Sequence, residues 1–187
     1  MVECRCQTSP GYWVRATCRA LTRDEIAWAK RVARARYASV ESRPESNRGA
    51  VMTGAQGFTS HFKGALGELA YCILFGIPWP ARVDTFTGPP DVDPDIEIKT
   101  SGFGPHLMAR PKDVTEHAGR RFVAMSFDKP ERTFRCYGWC WGRELAEAPL
   151  RDPGGWGKPV HWLEAHDLHR LPMALRHTTR EPKESHA

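Results

Sequence analysis

The 187-residue chain has no run of about 18 apolar residues, which excludes a membrane-spanning helix. The segment Met1–Trp13 carries an acid, Arg and Gln but no apolar core of signal-peptide type, so a secretory signal is not expected. No internal repeat or low-complexity block is visible. Lysine is scarce: 7 of the 27 cations are Lys and 20 are Arg, the better bidentate partner for phosphate. The six cysteines lack the two-residue knuckle of common structural zinc sites. Cys4-x-Cys6 and Cys136-x3-Cys140 therefore suggest neither zinc nor a disulfide framework, but reduced packing cysteines.

Apolar residues make up 41% of the chain, enough for a core in one domain. A net charge of +5 is compatible with a polyanionic partner without demonstrating one. These features describe a globular, soluble, cytoplasmic protein. A single domain is expected over residues 1–176. Residues 1–20 would form an N-terminal arm or edge strand, and 177–187 a polar, frayed tail.

The periodicity predicts a helix over Leu21–Val40. Thr22 and Glu25 have capping-box spacing, and Leu21 and Ile26 sit at hydrophobic-staple positions. Ile26, Ala29, Ala33 and Tyr37 make an apolar stripe. Lys30, Arg31 and Arg34 crowd another side, either as a solvated face or as a phosphate-contacting ridge. Residues 41–57, rich in Gly and polar groups, read as a flexible loop whose Arg43 and Arg48 could meet phosphate. A second helix is expected over about Ser60–Phe75, ended by Gly76 and Pro78. Strands follow over Asp95–Thr100, Leu107–Arg110, Arg121–Phe127 and Arg132–Trp141, the last two joined by Asp128–Glu131. A Gly/Pro-rich loop then precedes Val160–Leu163 and a small terminal helix. The order indicates an α/β or α+β domain.

The chemistry centres on Asp95-Ile96-Glu97-Ile98-Lys99. Strand alternation turns Ile96 and Ile98 to one face and presents Glu97 and Lys99 together on the other, about 7 Å apart. Five residues separate Asp91 from Glu97, room for a turn that brings a second carboxylate alongside the first. Two convergent carboxylates with waters and substrate oxygens suit the octahedral shell of magnesium. An acid-x-Lys triplet alone arises about once by chance in such a chain. Glu181-Pro182-Lys183 has the same spacing, but its proline and polar surroundings deny it a central strand. The second helix supplies context. Gly64 and Gly67 each cost about 1 kcal/mol relative to Ala, and they flank Glu68, which a closely packed helix could bring across to the acids.

Gly64-Ala65-Leu66-Gly67-Glu68-Leu69-Ala70, Pro90-Asp91 and Glu97-Ile98-Lys99-Thr100-Ser101 together resemble the PD-(D/E)XK nuclease superfamily, most of all small nuclease-like proteins of phages and prophages. The likeness is densest over Leu21–Asp113. It implies a restriction-endonuclease-like core, a mixed sheet of four or five strands flanked by helices. It also implies a Mg2+-dependent nuclease, with Mn2+ able to substitute and with DNA favoured over RNA as partner. A phage-encoded protein of this kind would work in the host cytoplasm. Carried over, Asp91 and Glu97 bind the metal. Glu68 is the helix-borne acid, acting directly or through water, and Lys99 positions the nucleophile or stabilises the transition state. The acidic stretch is crowded, so Asp93 or Asp95 stand as alternatives to Asp91.

Arg110 and Lys112, just after the strands, are either phosphate contacts or a solvated strand end. His161, His166 and His169 match no metal-ligand spacing, and Trp139, Trp141, Trp156 and Trp162 suit packing more than base stacking. Two alternatives to the nuclease remain: a catalytically inactive nucleic-acid-binding protein on the same scaffold, or a small phage interaction protein.

Overall fold

The computed structural model describes residues 2–9, 12–42, 54–83, 89–92, 94–102, 104–128, 132–155 and 157–170. Strands β1 (Val2–Ser9) and β2 (Tyr12–Ala20) are followed by helices α1 (Arg23–Glu41) and α2 (Gly54–Phe75). Then come β3 (Ile96–Ser101), β4 (His106–Ala109), α3 (Pro111–Glu116), β5 (Arg121–Phe127) and β6 (Thr133–Trp141). The chain closes with α4 (Gly142–Leu145), β7 (Leu150–Arg151), β8 (Val160–Glu164) and a 3-10 turn, Ala165–Asp167.

Five strands form a mixed sheet in the order β1-β2-β6-β5-β3, in which β3 runs parallel to β5 and every other pair is antiparallel. The two faces of this sheet carry separate cores. Ile96, Ile98, Val123 and Met125 pack with Ala29, Val32 and Ala33 of α1 and with Leu66, Leu69 and Ala70 of α2. Phe122, Ala124 and Cys140 point the other way, onto Leu107, Val114, Leu145 and Leu168. That second face is covered by α3, α4 and a three-stranded antiparallel sheet, β4-β8-β7. A mixed α/β fold with a five-stranded sheet is thus present. The small second sheet was not anticipated, because β4 and β8 lie far apart in sequence and pair only in the folded chain.

Local signals account for the helix ends. Thr22 Oγ1 accepts from the Glu25 amide at 3.2 Å and Glu25 Oε2 accepts from the Thr22 amide at 2.7 Å, the reciprocal capping box expected. Gly76, at φ +66°, takes the left-handed turn that ends α2. The helix begins earlier than the sequence suggests, however. Gly54–Gly57 belong to α2 and not to a loop, because the Tyr37 hydroxyl accepts from the Gly54 amide at 2.9 Å and so satisfies a first-turn donor. Glu41 ends α1, and residues 43–53, with Arg43 and Arg48, lie outside the described residues, as does the tail from 171 onward.

Of the two readings of the N-terminal residues, the edge strand is present: β1 lies at the sheet edge and pairs with β2, which pairs inward with β6. Two further expectations change. Arg110 and Lys112 do not sit on a strand end, since Arg110 precedes Pro111 at the start of α3. Cys4 and Cys18, on adjacent strands, are joined by a disulfide and are not reduced thiols. Cys72, Cys136 and Cys140 are free and buried, as packing cysteines should be. Among the described residues no helix is long and apolar enough to cross a membrane.

Candidate functional site

Strand β3 is an outer strand of the five-stranded sheet, and its free side is covered by the chain that leads into it. Val92 and Ile96 exchange backbone hydrogen bonds of 3.1 and 2.9 Å across a tight antiparallel bridge. One residue earlier, Asp91 Oδ2 accepts from the Ile98 amide at 2.8 Å. The turn between Asp91 and Glu97 therefore folds back as the spacing allows, and it fixes Asp91 against the strand that bears Glu97 and Lys99. Behind it, Arg36 Nε donates to the Arg82 carbonyl at 2.6 Å, and Arg82 donates to the Pro90 carbonyl at 2.6 Å. Helix α1 thereby anchors the Pro90–Asp91 corner.

Glu68 approaches from the helix face. Helix α2 lies so close to β3 that a Cβ at Gly67 would overlap Thr100 Oγ1, so the glycine is needed for that approach. The Glu68 carboxylate is buried among donors. Arg36 donates to both its oxygens at 2.6 Å, and the Trp79 indole N–H donates to Oε2 at 3.2 Å. Burial pushes the Glu68 carboxyl up to about 7, with the Asp91 charge adding to the rise and Arg36 opposing it.

Glu97 and Lys99 occupy the opposite face of β3. Glu97 Oε1 is paired with Arg120, and Lys99 Nζ sits 3.8 Å from Glu97 Oε2 and 3.7 Å from Asp113 Oδ2. Lys99 also lies over the Phe122 ring, at 5.5 Å. Burial raises the Glu97 carboxyl above its ordinary range and Asp91 raises it further, against Lys99 and Arg120. Asp91 at the strand edge is thus felt by an acid on each side of the sheet. Asp95, by contrast, holds Arg121, whose Nε lies 3.0 Å from Oδ2, and Asp93 lies outside the described residues.

Among the described residues no three His, Cys, Asp or Glu side chains form a group that could hold a metal ion. The donor chemistry nevertheless fits a hard dication at two of the three acids. Asp91 and Glu97 repel one another, one Asp91 oxygen is occupied by the Ile98 amide, and Mg2+ is commonly held by one or two carboxylates plus waters and phosphate. Glu68 fits less well as a direct ligand, because both its oxygens are taken by Arg36. In this geometry Glu68 reaches the Asp91 corner as charge.

Arg36, Arg120, Asp113 and Trp79 escaped sequence reasoning. One signal for Arg36 was present: it falls on the buried stripe of α1, with Ala29, Ala33 and Val40, where a lone cation requires an acid opposite. No local pattern marks Arg120 or Asp113, which reach β3 from other segments. The remaining candidates are dispersed except Arg110, which shares Asp113 with Lys99. Arg110 pairs with Asp113 at 2.8 Å and Lys112 with Glu116 at 3.7 Å, both at the surface. Lys30, Arg31 and Arg34 are exposed on α1, and none of them has a partner among the described residues. His161 bonds the Ala148 carbonyl, His166 lies near Asp167, and His169 pairs with Glu144. Trp139 and Trp141 meet edge to face, and Trp162 stacks on His106, so these rings are engaged internally. Trp156 lies outside the described residues. Compared with known proteins, the chain matches no family model, no curated protein and no solved structure.

Proposed function

We propose that the protein is a Mg2+-dependent nuclease of PD-(D/E)XK type, hydrolysing phosphodiester bonds in nucleic acid, with DNA the favoured substrate. The observation that carries this reading is the placement of Asp91, whose charge acts on both Glu68 and Glu97 while Lys99 stands beside Glu97. Asp91 and Glu97 would hold the ion. Bound there, Mg2+ would supply Lewis acidity and a water of lowered pKa.

The protein's own groups account for the rest. Lys99, held between Glu97 and Asp113, offers positive charge where a phosphate would gain negative charge in the transition state. Its Nζ is therefore aimed before substrate arrives. Arg120 fixes one Glu97 oxygen and leaves the other on the Lys99 side. Glu68, locked to Arg36, keeps a second acid behind Asp91 and braces the corner from the helix face.

A second reading, an inactive nucleic-acid-binding protein on the same scaffold, is favoured by the Arg36–Glu68 lock and by the absence of a three-ligand group among the described residues. Cleavage assays separate the two. The purified protein should cut an oligonucleotide only with Mg2+ or Mn2+ present, and Glu97→Ala or Lys99→Ala should abolish cutting without loss of fold. Undiminished cleavage by either variant refutes the assignment. Salt-dependent binding that survives a chelator, without any cleavage in metal, supports the inactive scaffold.

A further inference from the structure

Helix α1 carries an exposed aromatic ring next to the unpaired cations. Trp28 is 41% exposed, one of three large apolar residues so exposed among those described. Its ring meets Trp79 nearly edge to face, with centroids 4.9 Å apart and planes at 69°. Trp79 in turn donates to Glu68. The exposed ring is therefore anchored on the aromatic residue that braces the proposed site.

Trp28, Arg31 and Arg34 follow one another at three-residue spacing, which makes each the neighbour of the next along the helix surface. Lys30 lies one turn before Arg34 and Arg23 lies near the helix start, both exposed. Asp24, one turn before Trp28, and Glu41, two turns after Arg34, are the exposed acids of α1, while Glu25 is tied to Arg19 and to the Thr22 cap. The surface is thus an anchored aromatic platform beside Arg31 and Arg34, neither of which is paired with a carboxylate among the described residues.

We infer that this face of α1 binds single-stranded nucleic acid, with a base stacked on Trp28 and the backbone following Arg31, Arg34 and Lys30. An exposed ring needs an unstacked base as its partner, and a single strand offers one where a duplex does not. Guanidinium groups without competing carboxylates are matched to phosphate. A protein partner with an apolar patch would find a single ring in a cationic surround, poor complementarity for a docking core. The inference rests on the nuclease reading only in making this strand the substrate; the binding stands apart from cleavage.

Binding can be followed in chelator, by fluorescence anisotropy of a labelled oligothymidylate of about 15 nucleotides, with a duplex of equal length as comparison. The single strand should bind more tightly than the duplex. Trp28→Ala should weaken that binding at least about tenfold, and Trp28→Phe should restore much of it. Arg31→Ala and Arg34→Ala should each lower the salt slope by about one, with little dependence on base identity. Trp28 is surface-exposed, and unchanged thermal melting of Trp28→Phe would confirm that the comparison is made on folded protein. Equal binding by Trp28→Ala and the wild type, or duplex binding tighter than single-strand binding, overturns the inference. If Trp28→Ala binds normally while Glu97→Ala loses metal-dependent cleavage, the platform fails and the enzyme reading stands. If Trp28→Ala binds weakly while the wild type never cleaves, the platform stands and the enzyme reading fails.

Discussion

Two Arg–Glu pairs, one on each side of β3, have similar composition but different surroundings. On the helix face, Arg36 and Glu68 have side chains 3% and 5% exposed, both carboxylate oxygens are bonded, and Trp79 adds a third donor. On the other face, Glu97 is 10% exposed, Arg120 22% and Lys99 26%, and among the described residues Glu97 Oε2 meets only a lysine 3.8 Å away. The first pair is sealed; the second is open on one side. An ion pair with both carboxylate oxygens bonded and buried holds elements together, whereas one with an oxygen and an ammonium still accessible can exchange a partner. The difference fits the proposed function, in which Glu68 braces the corner and Glu97 is a metal ligand.

Breaking the sealed pair should have the larger effect on stability. Arg36→Met leaves a buried carboxylate with no guanidinium and should cost about 3–5 kcal/mol at pH 8 by denaturant unfolding. Gly67→Ala comes next: its methyl group would overlap Thr100, and overpacking of this kind costs about 1–3 kcal/mol. Removing the Thr100 hydroxyl and methyl in Gly67→Ala/Thr100→Ala should recover part of that loss, a coupling visible in a double-mutant cycle. Arg120→Gln should cost least, about 1–2 kcal/mol, because Lys99 remains beside Glu97. An Arg120 variant as damaging as the Arg36 variant would erase the distinction between the two sides.

The sealed pair should also set a pH dependence. The folded Glu68 carboxyl lies near 7, above its ordinary 4.5, so the folded state holds the proton more tightly than the unfolded chain. The stability this group contributes is fully present below about pH 4.5 and is lost as pH rises through about 7. Glu68→Gln cannot titrate there. Wild-type melting temperature should therefore fall relative to that of Glu68→Gln between pH 5 and pH 8, and a constant difference would contradict the assignment.

What could be read from the sequence follows from how local each feature is. The Thr22–Glu25 box, the alternation of Ile96, Glu97, Ile98 and Lys99, and the β5–β6 hairpin all depend on residues a few positions apart, and they stand in the structure as expected. Gly67 was legible as a close-packing residue because a glycine inside a strong helical pattern requires a reason. Features made by distant partners were not legible. Arg36 and Glu68 are separated by 32 positions and Arg120 and Glu97 by 23, so only the folded sheet pairs them. The same holds for β4 with β8, and the six-residue α3 is too short for periodicity to reveal. The Cys4–Cys18 disulfide depends on the β1–β2 register, which the spacing of the cysteines does not encode.

The division between the bracing acid and the ligand acids is tested most directly by a crystal soaked in manganese and recorded at the manganese absorption edge. One anomalous peak is expected within ligand distance of Asp91 and Glu97, with Arg36 still bonded to both oxygens of Glu68. A peak coordinated by Glu68 with Arg36 displaced, or no peak near Asp91 and Glu97 at saturating manganese, would contradict it.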